Sequence, residues 1–365
     1  MKRVVAMMSG TSMDGIDVAL LETDGERVGG FGPHSSFGYG QAERALLLAA
    51  KSDARGVVAS GERRGAMAEA EALVNRLHAD AARAFLRDHD IDADSIDLVG
   101  FHGQTVFHAP ERGITVQLGD GAALARELGL PVAWDFRSAD VAAGGQGAPL
   151  APVWHRALAA HAGLDEPLVA LNLGGVANVT FIAPGHELAA FDTGPANALI
   201  DDLVSARAGL EFDEGGRLAA AGRVDEAALA RLMDNPYFAA PYPKSLDRDV
   251  FDMDAVAGLS LEDAAATLAA FTAHSVAAGI GLLPARPVRI VASGGGARNP
   301  VMLSMIGEAT GAEVVTADAL GWSAAAMEAQ AFAYMAARVA KGLPITFPMT
   351  TGVREAMTGG RISRP

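Results

Sequence analysis

Apolar residues follow two rhythms along this chain. The run Val4-Val5-Ala6-Met7-Met8 leads into the polar, glycine-bounded stretch Ser9-Gly10-Thr11-Ser12-Met13-Asp14-Gly15, and Ile16-Asp17-Val18-Ala19-Leu20-Leu21 follows. That order predicts strand, tight turn, strand. The pattern returns at Leu168-Val169-Ala170-Leu171-Asn172-Leu173, where Gly174-Gly175 makes the turn and Val176-Ala177-Asn178-Val179-Thr180-Phe181-Ile182 runs back. A third strand, 288–292, ends at Gly294-Gly295-Gly296, after which Asn299-Pro300 opens a helical pattern. Helical spacing covers 41–52, 62–89, 121–128 and 328–340. Short strands are predicted at 96–101, 114–118 and 131–136. Residues 264–285 carry no charge and are long enough to cross a bilayer. They are mostly small residues with a histidine, and a strand follows them, so they predict a buried core helix.

Strands alternating with helices place the chain in the α/β class. Its 365 residues suit two domains, and with 50% hydrophobic residues a sizeable core is available. The glycine-rich stretch 142–147 marks the crossover region. The expected division is 1–135 with 345–365 as one domain and 136–344 as the other.

Charge then narrows the partners. A formal net charge of −15, with no basic run, argues against nucleic acid. There are no cysteines, so disulfides, thiolate metal sites and cysteine nucleophiles are excluded. The N-terminus has Lys2-Arg3 and then only a short apolar strand, unlike a signal peptide. A cytoplasmic protein with no membrane partner is the expectation.

The glycine turns are the first candidates for chemistry. Backbone N–H groups and hydroxyls of residues 10–15 can face phosphate oxygens, and Asp14 or Asp17 can stand near a metal ion or its water shell. Glycines at 10 and 15 mimic a P-loop. However, Ile16 stands where that motif has lysine, and a strand follows where it has a helix, so the P-loop reading fails. The alternative is a hairpin whose glycines only shape the turn. His102-Gly103-Gln104-Thr105-Val106-Phe107-His108 follows a strand end and reads as a loop that hydrogen-bonds substrate hydroxyls, since its histidines match no standard metal spacing. Asp135-Phe136-Arg137 is either an ion pair or an arginine fork for a carboxylate. Asp192, in Phe191-Asp192-Thr193-Gly194-Pro195-Ala196-Asn197, is the candidate for the reacting centre, with a helix cap or Asx-turn as its alternative. The loop Tyr242-Pro243-Lys244-Ser245-Leu246-Asp247-Arg248 gathers polar groups without declaring a role. Glu328, in an alanine-rich helix, is either solvated or turned towards a cleft.

Two glycine hairpins and a later glycine turn into a helix resemble the actin-like ATPase superfamily, which includes Hsp70 and the sugar kinases. The resemblance implies a two-domain α/β, ribonuclease H-like fold with nucleotide and substrate in an interdomain cleft. Within it, the segments 9–15, 102–105, 135–137 with 144–150, 172–178, 191–197, 294–299 and 328–333 occur in the order found in the anhydro-N-acetylmuramic acid kinases, which this chain resembles over nearly its whole length.

That resemblance implies an ATP- and Mg²⁺-dependent enzyme. It would open the 1,6-anhydro ring of its amino sugar with water and phosphorylate O6, in peptidoglycan recycling. By similarity, Gly10, Thr11, Ser12, Met13, Asp14, Gly15, Ile16, Asp17, Gly174, Gly175, Gly294, Gly295 and Gly296 bind ATP. Asp192 is the base, and Gln104, Arg137, Asn178 and Glu328 contact the sugar. Metal ligands are not implied. A homodimer is one compatible assembly, although nothing in the sequence fixes it. Ala324-Ala325-Ala326 departs from the acidic residues common before the family's Glu-Ala pair, and Ala196 stands where glycine is common. Two other readings stay open: another sugar kinase of the superfamily, or a non-metabolic actin- or Hsp70-like ATPase.

Overall fold

A computed structural model describes residues 1–246 and 250–365. The chain forms two compact units, 1–163 with 325–365, and 164–324.

The first unit opens with β1 (Lys2–Ser9), β2 (Gly15–Thr23) and β3 (Val28–Gly38), followed by α1 (Gln41–Ala54) and α2 (Met67–Asp88). Then come β4 (Leu98–Ala109), β5 (Ile114–Leu118), α3 (Gly121–Leu128), β6 (Val132–Trp134), α4 (Ser138–Ala142) and α5 (Pro152–His161). The second unit holds β7 (Leu168–Leu173), β8 (Val176–Ile182), β9 (Ala189–Pro195), α6 (Asn197–Ala208), α7 (Arg217–Ala221), α8 (Glu226–Met233), α9 (Leu261–Gly281), β10 (Arg289–Ser293), α10 (Pro300–Thr310) and β11 (Glu313–Thr316). The chain returns to the first unit as α11 (Met327–Lys341), α12 (Pro348–Thr351) and β12 (Arg361–Ser363).

The first sheet runs β12-β6-β4-β1-β2-β3, with β5 added to β4. The second runs β11-β10-β7-β8-β9. Each centres on an antiparallel glycine-turned pair, β1 with β2 and β7 with β8, flanked by a parallel neighbour, β4 or β10. The two hairpins read from the apolar runs are therefore present, one in each unit.

Local chemistry explains the boundaries. Asp120 caps α3 by accepting from the N–H groups of Ala122 and Ala123, and Gly129 ends it with a left-handed φ of 69°. Ser260 caps α9 through the Asp263 N–H. That helix is long and apolar enough to cross a membrane, but 78% of its most apolar stretch is buried within the protein. Two expectations shift. The helical spacing at 62–89 narrows to α2, because 62–64 is irregular and 65–66 is a turn. The strand predicted at 96–101 does not stop at His102: β4 runs to Ala109, so 102–105 is strand and not loop. Gly103, with φ 72°, lets it turn from a parallel pairing with β1 and β6 to an antiparallel one with β5.

The compact units divide at 163/164 and 324/325, the first later than the sequence-based 135/136 and the second earlier than 344/345. Packing explains this. α11 lies close over β4 at Gly100, where a Cβ would come within 2.9 Å of the Phe332 carbonyl. Trp154 of α5 is fully buried, with its ring 6.3 Å from Phe31 of β3 and 5.4 Å from Tyr334 of α11.

Candidate functional site

In the first unit, residues 10–14 form the turn between β1 and β2. The Met13 N–H closes it on the Gly10 carbonyl at 3.2 Å. Met13 has φ 54° and a fully buried side chain, so the turn is pinned into the core while Thr11, Ser12 and Asp14 stay exposed. Ser9 and Gln104 staple its base: the Ser9 hydroxyl donates to Gln104 Oε1 at 2.5 Å, and Gln104 Nε2 donates to the Gly10 carbonyl at 2.8 Å. The Tyr39 hydroxyl lies 2.7 Å from Ser9 Oγ, and burial pushes its phenol up to about 12. Gln104 was expected among the sugar contacts, yet it is fully buried with its amide committed to this turn. Gly15 and Gly10 differ in kind. A Cβ at Gly15 would stand 2.5 Å from the Phe37 carbonyl, whereas at Gly10 it would meet only Ser12 Oγ, at 3.4 Å. Packing therefore requires glycine at 15; at 10 the space above the backbone is open.

Arg137 and Asp135 do not pair with each other. Asp135 pairs with Arg361 at 2.9 Å. Arg137 donates through Nε to His102 Nε2 at 3.1 Å and through Nη1 to the Gly147 carbonyl at 2.7 Å. His102 Nδ1 lies 2.8 Å from the Gly103 carbonyl, an arrangement that suits a neutral ring with its proton on Nδ1. Burial, then the Arg137 charge, hold its pKa well below the ordinary histidine range. Fully buried Asp140 secures the glycine-rich stretch by accepting from the Gly147 N–H at 2.6 Å and the Thr351 hydroxyl at 2.7 Å. Burial lowers the Arg137 pKa to about 10, against the opposing pull of Glu328 and Asp140. Glu328, in the first turn of α11, shows surface to solvent but is crowded by surrounding atoms. Its pKa is raised first by that desolvation, lowered by Arg137, and raised again by Asp17 and Asp14. Arg137, Glu328, Asp14 and Asp17 thus share one electrostatic neighbourhood. Among the described residues no group of three or more His, Asp or Glu side chains is arranged to hold a metal.

In the second unit, Asp192 lies inside β9. It is not a helix cap: α6 starts after Ala196 with no side-chain cap. Asp192 is half-buried. Its Oδ2 accepts from the Leu246 N–H at 2.8 Å. Burial raises its pKa, and that one hydrogen bond lowers it. Asn178 stands opposite in register on β8, beside a bulge, and its side chain has no hydrogen-bond partner among the described residues. Antiparallel partners share a face of the sheet, so an amide and a carboxylate stand side by side. Asp247 and Arg248 of the polar loop lie outside the described residues.

The Gly174-Gly175 turn differs from the first one. Its carbonyls accept from the backbone N–H groups of Ala196, Asn197 and Ala198, the start of α6. The Gly294–Gly296 turn packs on the end of β7. Gly294 has φ 80°, and a Cβ there would lie 2.7 Å from the Leu173 carbonyl. Beside it a cavity of about 230 Å³ is lined by Asn197, Ile200, Phe212, Gly295, Arg298 and Asn299.

Ser9, Tyr39, Tyr237 and the Leu246 N–H escaped the sequence reading. Nothing marks a backbone donor in a sequence, and Ser9 differs from the hydroxyls at 11 and 12 in being fully buried.

These features match known proteins end to end. The family model for anhydro-N-acetylmuramic acid kinase matches residues 2–364. A protein of that name from Methylobacterium nodulans is 53% identical over 373 residues, covering 100% of both chains. Another, from Rhodopseudomonas palustris (strain BisB18), is 54% identical over 363 residues, covering 99% of both. Among solved structures, xylulose kinase from Lactobacillus acidophilus is similar with a TM-score of 0.49 and 12% identity, covering 100% of this chain and 94% of that one. With the model matched almost from first residue to last and about half of all positions shared along full-length relatives, the chain belongs to the anhydro-N-acetylmuramic acid kinase family.

Proposed function

We propose that this protein uses ATP to open 1,6-anhydro-N-acetylmuramic acid hydrolytically and phosphorylate O6, giving N-acetylmuramic acid 6-phosphate and ADP in peptidoglycan recycling. The observation that carries the reading is Asp192: a half-buried carboxylate with raised pKa, one oxygen held by a backbone N–H and an unpartnered amide, Asn178, beside it. A general base needs that combination of fixed direction and a pKa moved towards neutrality.

In the reaction, Asp192 takes a proton from water as the water oxygen bonds to C1. The C1–O6 bond breaks, O6 bonds to the γ-phosphorus, and the bond to the β-phosphate oxygen breaks to release ADP. Phosphate transfer captures the leaving oxygen, so no separate strong acid is required. The rest is positioning and charge neutralisation. Residues 10–15, with open space above Gly10 and exposed hydroxyls at 11 and 12, suit phosphate oxygens. Gly174 and Gly175 serve likewise, and the cavity beside Gly294–Gly296 suits adenosine. Mg²⁺, bound through Asp14 or Asp17 and its water shell, would neutralise phosphate charge; magnesium commonly takes one or two carboxylates plus phosphates and water. Arg137, Asn178 and Glu328 contact the sugar. Gln104 acts at one remove, by fixing the turn.

Turnover in ¹⁸O water, with product read by mass spectrometry, tests the reading. Label is expected at C1 and absent from the phosphate. No turnover of the anhydro sugar, with good turnover of an ordinary hexose, would replace it with a conventional sugar kinase.

A further inference from the structure

β9 is the last strand of its sheet, with β8 on one side only. The backbone groups that Asp192 turns outward therefore meet no strand. A segment about fifty residues further along the chain takes them instead. The Asp192 N–H donates to the Lys244 carbonyl at 3.0 Å. The Tyr237 hydroxyl donates to the Asp192 carbonyl at 2.6 Å. The Leu246 N–H donates to Oδ2 at 2.8 Å. Next to these, the Tyr242 ring stacks on Phe191 at 4.7 Å with 9° between planes. The segment is also tied to itself: Lys244 Nζ donates to the Tyr237 carbonyl at 2.7 Å and sits 4.5 Å from the centre of the Tyr237 ring. An edge strand usually leaves such groups to solvent. Here both backbone groups and one carboxylate oxygen of a single residue are held by one brace.

We propose that Tyr237 and residues 242–246 are the positioning element for Asp192, fixing its backbone and occupying Oδ2 so that Oδ1 is the oxygen that accepts the proton from water. The inference rests on the reading of Asp192 as base. A base held in one direction keeps a near-attack geometry, and small misplacements are costly to rate. Tyr237 acts through Asp192 and is a positioning residue.

Tyr237→Phe deletes only the hydroxyl. The expected result is a fall in kcat of about tenfold or more, with both KM values within about twofold and the melting temperature near wild type. In an Asp192→Asn background the same change should leave residual turnover where it is, because the two residues act as a unit. Leu246→Pro removes the donor to Oδ2, so the acid limb of the kcat profile should move to higher pH. The titratable group coupled to Asp192, the Tyr237 phenol, is retained in that variant. Normal kcat in Tyr237→Phe, or an unmoved acid limb in Leu246→Pro, overturns the proposal while Asp192→Asn stays inactive. A parallel loss of kcat, both KM values and melting temperature overturns it too, since that marks a structural role. An active Asp192→Asn enzyme overturns the base reading itself.

Discussion

Asp192 and Glu328 are both carboxylates whose pKa burial raises, and they differ in their company. Glu328 lies in the field of a cation, Arg137, and of two further carboxylates, Asp17 and Asp14. Asp192 has one backbone N–H for offset and a loop wrapped around it. An acid whose charge is answered by a guanidinium is suited to hold a ligand in place. One whose charge is answered only by an amide retains its affinity for a proton. The contrast supports the proposal that Glu328 binds the sugar and Asp192 transfers the proton.

The hardest test of that division is Asp192→Asn. Turnover should fall by about 10²–10⁴-fold with the fold intact, since asparagine keeps the shape and cannot take the proton. Near-normal kcat in a stable variant would shift proton transfer towards Glu328. Arg137→Leu should act differently. It removes the donor to His102 and the Gly147 carbonyl and leaves Glu328 without its cation, so KM for the sugar should rise about tenfold or more while KM for ATP holds, by the usual strength of charged hydrogen bonds. An unchanged sugar KM would take Arg137 out of the binding set.

The glycines of the first turn sharpen the comparison between fold and ligand. Gly10→Val should raise KM for ATP about tenfold, as expected if a charged hydrogen bond to phosphate is blocked, with the melting temperature preserved. Gly15→Ala should do the reverse, costing about 1–3 kcal/mol of stability because its Cβ meets the Phe37 carbonyl. If Gly10→Val melts early and binds ATP normally, the turn is architecture and the phosphate site lies elsewhere.

The smallest effect concerns stability. The folded-state pKa of Asp192 is raised above its unfolded value, so the native state binds more protons between the two and stability falls as pH rises through that window. Asp192→Asn removes the penalty. Its melting temperature should exceed wild type by about 1–2 °C at pH 7, and the difference should vanish below the ordinary aspartate range. A lower melting temperature at pH 7 would mean that the carboxylate contributes more through its bond to Leu246 than it loses by burial.

Much of this was legible where local chemistry decides. Both glycine hairpins, the helix over 121–128 and the core identity of α9 follow from apolar spacing, caps and small-residue content. Asp192 stood out because a carboxylate closes an apolar segment just before a Gly-Pro turn. The extension of β4 did not show, since His102 and Gln104 look like loop residues until burial and a glycine turn place them in a strand. Nor did Gln104's role: an amide that will fix a turn reads the same as one that will meet a sugar. The division at 163/164 depends on contacts of Trp154 with residues far away in sequence, which no local pattern carries.

The composition of α9 has one more consequence. A Cβ at Gly194 would lie 2.5 Å from that of Ser275, and one at Gly279 would lie 2.6 Å from the Thr193 methyl. Helix and strand therefore meet with a clearance of less than one methyl group at both residues that follow Asp192. The alanines, glycines, serines and threonines of this helix are a spacing gauge. They set how far β9 stands off the helix axis, and with it the depth at which the Asp192 carboxylate is presented.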